Sequence, residues 1–165
     1  MKKYLSLVTF AHTIFAMPFA FIGFFLAVTT TSYRFDWIKL LLMVLCMVFA
    51  RNSAMAFNRY LDRDIDAKNP RTKVRDIPAG RISPVSALTF TIINCSLFII
   101  TTLFINRLCF YLSPVALTVV LGYSATKRFT ALCHLVLGLG LSLAPIGAYL
   151  VVTGAFALLP VFFSL

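Results

Sequence analysis

Long runs of residues without a charged side chain are the feature that most constrains how this chain can fold. Between Tyr4 and Tyr33 there is no Lys, Arg, Asp or Glu. Over the whole chain of 165 residues only 12% are charged, against about 25% in an ordinary soluble domain. So few charges cannot cover the surface of a soluble protein. We therefore predict an integral membrane protein of the all-α class, a bundle of transmembrane helices.

The apolar runs divide the chain into five segments, each long enough for a spanning helix of about 20 residues. The second is unusually long, because good helix formers continue past its apolar part into charged residues. The last span contains pairs of small residues four positions apart, which are suited to close helix contact: Gly138 with Ser142, and Ala144 with Ala148. The predicted spans cover residues 12–31, 37–66, 85–105, 108–125 and 132–152.

The distribution of basic residues predicts the orientation of these spans. The net charge is +10, and the N-terminus and the loops at 67–83 and 126–130 carry most of the Lys and Arg on one side. The opposite side has only Arg34, Lys39 and Arg107. By the positive-inside rule, the N-terminus and the Asp-rich loop face the cytoplasm of a multi-pass protein in an inner or plasma membrane. No soluble domain with a basic face is available, so we expect no nucleic-acid partner.

Four of the five acidic residues fall within one stretch, residues 58–81. Asn58, Asp62 and Asp66 are spaced four apart, so about 3.6 residues per turn places them on one stripe of a helix. Asp64 faces another direction. Carboxylate and amide oxygens suit Mg²⁺ held jointly with substrate phosphates. The stretch has neither His nor Cys, which argues against zinc.

Basic residues follow directly after this stripe. Asn69-Pro70 ends the helix, since the residue before proline disfavours the α conformation. Arg71 and Arg75 come next, and arginine binds phosphate oxygens bidentately. A merely solvated helix end is a poorer explanation, because Asp66 in the last turn opposes the helix dipole. The pattern predicts a metal-diphosphate site at the membrane surface.

Three stretches, NRYLDRDID, NPRT and YSATKRFT, resemble motifs of the UbiA-type membrane prenyltransferases, in particular those of the 4-hydroxybenzoate polyprenyltransferase kind. The first motif of that family is NDxxDxxxD. Here Asn58, Asp62 and Asp66 match its first, fifth and ninth positions, which in the family carry Mg²⁺ and the diphosphate. Arg59 stands where the family has Asp.

The resemblance also implies roles for residues outside that motif. Arg71 and Arg75 match family arginines that bind the diphosphate. Tyr123 and Lys127 match a YxxxK element, with Lys on the diphosphate and Tyr near the reacting carbon. The implied catalytic set is Asp62, Asp66, Tyr123 and Lys127.

The implied activity is transfer of a polyprenyl group from an allylic polyprenyl diphosphate to an aromatic quinone precursor. The acceptor would be hydroxybenzoate-like or dihydroxynaphthoate-like, as in ubiquinone or menaquinone biosynthesis, and Mg²⁺ would assist departure of the diphosphate. The implied fold is a helical bundle whose central cavity opens laterally to lipid.

One departure from the family concerns the second half of the site. The family has about nine spans and a second Asp-rich motif, whereas this sequence has about five and no Asp or Glu after Asp76. We expect residues 1–165 to form a single prenyltransferase domain that is incomplete at its C-terminus, as a fragment or truncated product, and inactive alone; another chain that supplies the missing half is an alternative. A non-catalytic remnant is an alternative. A transporter or scaffold is another, although a cation gate would place acidic residues in several spans. A CDP-alcohol phosphotransferase would need a DG pair and a closely following DxxxD, and neither occurs after Asp62.

Overall fold

The computed structural model describes residues 10–126 and 133–162, and all the regular structure in these ranges is helical. Five long helices form at the predicted places, which confirms the all-α class, and a helix of five residues follows them. The helices are α1 (Phe10–Thr30), α2 (Trp37–Lys68), α3 (Pro84–Ile105), α4 (Arg107–Thr126), α5 (Cys133–Thr153) and α6 (Leu158–Phe162).

Three of the helices, α2, α3 and α4, are long and apolar enough to cross a membrane. The described apolar parts of α1 and α5 are shorter, Met17–Thr30 and Gly138–Thr153. At 1.5 Å per residue, the 32 residues of α2 extend about 48 Å, well beyond the ~30 Å hydrocarbon core of a bilayer. A span that begins at Trp37 therefore carries its Asp-rich end to the membrane surface.

The ends of α2 have identifiable causes. Asp36 caps the start, where its side chain accepts a hydrogen bond of 2.8 Å from the Ile38 N–H. Asn69 follows the last helical residue in an extended conformation, as the following proline requires. The predicted stop is therefore confirmed to within two residues.

The helices form two packed pairs, α1 with α5 and α2 with α3, and α4 connects them. Phe24 of α1, Met43 of α2 and Tyr149 of α5 belong to one buried apolar cluster. At Gly23 the α1 backbone approaches α5 so closely that a Cβ would collide with the Pro145 carbonyl oxygen.

This close contact only partly follows the small-residue pairs predicted in α5. Ala148 is buried, at 2% exposure. Gly138 is exposed, and a Cβ added there would meet no atom within 4 Å. The sequence pattern identified the helix that makes the contact, but the small residue at the contact itself is Gly23 on the partner helix.

Side chains of α2 and of the turn between α3 and α4 bind C-terminal carbonyls of α5 at the end of the bundle where α2 begins. Lys39 Nζ donates to the Val152 carbonyl at 2.9 Å. Asn106 Nδ2 donates to the Leu150 carbonyl at 2.9 Å, while its Oδ1 accepts from the Cys109 N–H. The bond from Lys39 satisfies a carbonyl that the helix end leaves without an intrahelical partner, whereas the Leu150 carbonyl also accepts from the Gly154 N–H.

Candidate functional site

The stripe of Asn58, Asp62 and Asp66 lies on a face of α2 that the protein covers. Asp62 and Asp66 are each only 6% exposed, and Asn58 is partly buried. Asp64, by contrast, has 72% of its side chain exposed, and its Oδ1 lies 3.8 Å from Arg63 Nε. Burial of ionised carboxylates is costly unless cations or hydrogen bonds compensate it. The compensation comes from the segment that follows α2.

Residues 69–83, here called the basic loop, fold back onto the end of α2. Arg75 Nη1 donates to both carboxylate oxygens of Asp66, at 2.8 and 2.9 Å. The Asp66 carbonyl accepts from the Asn69 N–H and from Thr72 Oγ1 at 3.2 Å. The structure therefore brings together Arg75 and Asp66, which sequence reasoning placed in the same site.

A small apolar cluster fixes the far part of the basic loop. Ile77 and Ile82 are buried against Ala56 of α2 and Ala87 of α3. Between them Gly80 has a φ of 71°, a left-handed conformation that favours glycine and lets the chain turn back. The basic loop is thus a structured cap on α2 and α3.

Asp76 is the third buried carboxylate of this region, at 6% exposure. Its Oδ1 accepts from Arg81 Nε at 2.8 Å. Its carbonyl accepts from the backbone N–H groups of Arg81 and Ile82. Arg59 of α2 is partly buried.

The remaining predicted site residues are Arg71, Tyr123 and Lys127, of which Lys127 lies outside the described residues. Arg71 is exposed, and its backbone N–H donates to Asn69 Oδ1 at 3.0 Å. Tyr123 is partly buried near the end of α4.

An apolar cavity of about 270 Å³ is lined by residues of α2, α3, α4 and α5. Of its described lining residues, Arg51 carries the charge. The Arg51 Nε is buried and has no hydrogen-bond partner among the described residues. Seven residues separate Arg51 from Asn58, so the two share one face of α2 about 10 Å apart. Sequence reasoning missed Arg51, although this heptad spacing to the Asp stripe was a usable signal.

Buried carboxylates, a paired arginine and an apolar cavity can serve a diphosphate with a hydrophobic tail. The sequence profile of the UbiA prenyltransferase family matches residues 16–165. Over 116 residues the chain is 36% identical to the 4-hydroxybenzoate octaprenyltransferase of Aliivibrio fischeri strain MJ11, covering 69% of this chain and 40% of that protein. Over 127 residues it is 34% identical to the protoheme IX farnesyltransferase of Vibrio vulnificus strain CMCP6, covering 73% of this chain and 42% of that protein.

Solved structures agree with these sequence matches. The apo structure of a UbiA homolog from Aeropyrum pernix K1 superposes with a TM-score of 0.80 at 32% identity, over 94% of this chain and 56% of that chain. A UbiA homolog from Archaeoglobus fulgidus, bound to DMAPP and Mg²⁺, gives a TM-score of 0.75 at 25% identity, with the same coverages. The chain spans about two fifths of the length of the curated relatives it matches. It belongs to the UbiA prenyltransferase family.

Proposed function

We propose that the protein containing this chain transfers a polyprenyl group from an allylic polyprenyl diphosphate to an aromatic acid that carries a hydroxyl group. The observation that carries the proposal is the α2 face on which buried Asp62 and Asp66 stand above Arg51 in an apolar cavity. One face thus offers a polar site for a diphosphate and an apolar site for carbon skeletons.

The α2 stripe would supply oxygen ligands to magnesium. Asn58, Asp62 and Asp66 offer an amide and two carboxylates, the hard oxygen ligands that Mg²⁺ accepts beside substrate phosphates. The UbiA homolog from Archaeoglobus fulgidus, which was solved with DMAPP and Mg²⁺ bound, supports this assignment. When bound, the metal would supply positive charge that neutralises the departing diphosphate.

Arginine and lysine side chains would hold the rest of the diphosphate. Arg75 already lies at the stripe, where its guanidinium neutralises Asp66. We expect Arg75 to pass from Asp66 to phosphate oxygens when metal and substrate bind, since guanidinium groups favour phosphate bidentately. Arg71 is exposed and able to approach the same oxygens, and we propose Lys127 as a further cation there.

Arg51 would anchor the acceptor. A guanidinium whose Nε has no partner in an apolar cavity is suited to a carboxylate, which both hydroxybenzoate-like and dihydroxynaphthoate-like acids possess. The match of Tyr123 and Lys127 to the YxxxK element of the family supports a place for the tyrosine close to the reacting carbon. The name of the Aliivibrio relative favours the hydroxybenzoate class.

The reaction then needs no strong base at the start. The bond between the allylic carbon and the diphosphate oxygen breaks, and the electron pair leaves with the diphosphate, which Arg71, Arg75 and Lys127 stabilise. An aromatic carbon beside the hydroxyl bonds to the allylic carbon, and that ring carbon later loses its proton. The face of Tyr123 would shelter positive charge on the prenyl group.

We propose a multi-pass location in a cell inner or plasma membrane, with the N-terminus and the basic loop in the cytoplasm. The charge of the basic loop supports this orientation, and α2 is long enough to carry that loop out of the hydrocarbon core.

The test is prenyl transfer by the purified natural polypeptide that contains residues 1–165. It is incubated with Mg²⁺, farnesyl diphosphate and 4-hydroxybenzoate or 1,4-dihydroxy-2-naphthoate, and products are identified by mass. We expect a C-prenylated acid that disappears when EDTA removes the metal. We expect residues 1–165 alone to bind the magnesium diphosphate weakly without turnover. Failure of the natural polypeptide with every allylic diphosphate and aromatic acid tried would refute the proposal and favour a transporter or scaffold.

A further inference from the structure

The depth of the basic loop in the membrane follows from the way α2 and α3 are aligned. Lys39 of α2 and Asn106, which follows α3, both bind carbonyls in the last turn of α5, so they lie at the same level of the bundle. Farther along the two helices, Ala56 and Ala87 belong to one buried cluster. At 1.5 Å per residue, Ala56 is about 26 Å from Lys39, and Ala87 is about 28 Å from Asn106. The two helices are therefore antiparallel with little stagger.

This alignment places the basic loop just outside the hydrocarbon core. The core has one boundary near Lys39 and Asn106, because charged and polar side chains are costly inside it. From there α3 extends about 33 Å to Pro84, close to the ~30 Å thickness of the core, and α2 extends about 44 Å to Lys68. The basic loop joins these two ends. It therefore occupies roughly the first 10 Å outside the core, where headgroups form a layer of about 5–7 Å.

The exposed charged side chains at this depth are mainly cations. Lys68 ends α2, Lys73 lies in the basic loop, and both are exposed. Arg71 and Arg81 are exposed as well. Within residues 58–83 the exposed acid is Asp64, since the other carboxylates are buried. A surface of this charge at headgroup depth attracts acidic phospholipids.

Val74 is an apolar side chain that the basic loop holds outward among these cations. It lies between Lys73 and Arg75 and is 62% exposed. The backbone here is ordered, since the Val74 carbonyl accepts from Arg81 Nη2 and the Lys73 N–H donates to the Asn69 carbonyl at 2.9 Å. Segments that contact a membrane surface combine cations, which bind headgroups, with apolar side chains, which enter the boundary of the acyl chains.

We propose that the basic loop binds acidic phospholipid in the headgroup layer, through the ammonium groups of Lys68 and Lys73 and with Val74 in contact with the lipid. Dissolved phosphate offers the same anionic oxygens but has no acyl chain for Val74 to contact. Binding of lipid at this surface does not depend on the proposed prenyl transfer.

The first test identifies what lies against Val74. A benzophenone amino acid, which bonds covalently to neighbouring C–H groups under ultraviolet light, replaces Val74 in the natural polypeptide that contains residues 1–165. The protein is placed in nanodiscs of phosphatidylcholine with about one fifth phosphatidylglycerol, and lipid adducts are identified by mass. We expect the ratio of phosphatidylglycerol to phosphatidylcholine adducts to exceed the nanodisc ratio at least about fivefold. Absence of lipid adducts, or adducts in the nanodisc ratio, would overturn the proposal.

Charge variants test whether the two lysines cause the enrichment. Lys68→Gln with Lys73→Gln should bring the adduct ratio to within about twofold of the nanodisc ratio, while phosphatidylcholine adducts still form and show that the loop keeps its depth. Arg34→Gln is the matched control, because Arg34 is an exposed cation just before the other end of α2; the enrichment should persist. Enrichment that survives in the double lysine variant, or that disappears in Arg34→Gln, would contradict the assignment to Lys68 and Lys73.

Inorganic phosphate distinguishes a lipid from a dissolved anion. Excess phosphate should leave the enrichment the same as sodium chloride of equal ionic strength does, since both screen charge equally and neither supplies an acyl chain. Loss of the enrichment in phosphate but not in chloride would mean that the basic loop binds free phosphate, and the lipid would be the wrong occupant. Mg²⁺ and prenyl diphosphate are left out, so failure of the proposed function would not change this result.

Discussion

The two ends of α2 both carry charged residues held against other parts of the protein, yet they use those charges differently. At the start, Asp36 and Lys39 each bind a backbone group, an N–H of the same helix and a carbonyl of α5. At the other end, Asp62 and Asp66 are buried, and Asp66 binds a side chain, the guanidinium of Arg75.

This difference distinguishes charged residues that stabilise the fold from charged residues that bind a ligand. A charged side chain that binds a backbone group left without a partner at a helix terminus stabilises the fold. Burying an ionised carboxylate costs desolvation free energy. An ion pair that offsets this cost contributes little net stability compared with apolar packing. The buried carboxylates at the C-terminal end of α2 therefore do little for the stability of the fold. Their presence is explained if they bind a metal and its diphosphate. Each prediction below changes the stripe, the cavity beside it, the basic loop or the N-terminal end of α2, and leaves the others intact.

The largest effect is expected from Asp62→Asn. Loss of a metal ligand should lower kcat for prenyl transfer by about a thousandfold or more, since the charge on the leaving diphosphate is no longer neutralised. The measurement is the initial rate with saturating substrates. Asp64→Asn is the matched control on the exposed face of the same helix, and it should stay within about twofold of the parent. Equal rates for the parent and Asp62→Asn would contradict the assignment.

Next in size is Arg51→Met, which tests the cavity on the α2 face below the stripe. Removing the guanidinium should raise the KM for an aromatic acid about 10- to 100-fold, since hydrogen bonds to charged groups contribute about 1.5–3 kcal/mol. The KM for prenyl diphosphate should not change. Methyl 4-hydroxybenzoate, which lacks the carboxylate charge, should show no difference between parent and variant. A loss of the same size for the ester would mean that Arg51 does not bind the carboxylate.

A smaller effect is expected from Arg75→Lys, which keeps the charge and removes the planar fork. The KM for prenyl diphosphate should rise about tenfold, because an ammonium cannot bind phosphate bidentately. Lys73→Gln in the same loop alters an exposed cation and provides the control. An effect of Lys73→Gln as large as that of Arg75→Lys would indicate general attraction by the basic loop instead of a specific contact.

The smallest effect is expected at the N-terminal end of α2. Lys39→Met removes the hydrogen bond to the Val152 carbonyl and should lower the free energy of unfolding by about 1–2 kcal/mol, measured by denaturation in detergent. Lys68→Met, at the exposed end of α2, should change it by less than about 0.5 kcal/mol. Catalysis should be unaffected by Lys39→Met once the protein is folded. A selective loss of diphosphate binding in this variant would erase the distinction between the two ends.

The sequence predicted the helices and the α2 stripe because both depend on local periodicity. Apolar runs and proline positions mark the ends of α2 to within two residues, and a spacing of four places Asp62 and Asp66 together. The path of residues 69–83 was not predictable in the same way. The bond from Arg75 to Asp66 depends on a turn at Gly80 and on apolar contacts with α2 and α3.

Contacts between distant helices were also beyond the sequence pattern. Gly23 meets Pro145 because two helices cross at that point, which no spacing within either helix encodes. The apolar cavity around Arg51 is formed by residues of several helices, and this arrangement identifies Arg51 as a candidate ligand-binding residue.

Binding of a magnesium diphosphate at the α2 stripe is the central requirement of the proposed function. Binding of farnesyl thiolodiphosphate, which has sulfur at the bond that would break and therefore resists reaction, can be titrated calorimetrically with and without Mg²⁺. We predict that binding requires Mg²⁺ and that Asp62→Asn weakens it at least about tenfold, while Asp64→Asn leaves it unchanged. Equal affinity of Asp62→Asn and the parent protein, both in Mg²⁺, would contradict the central claim.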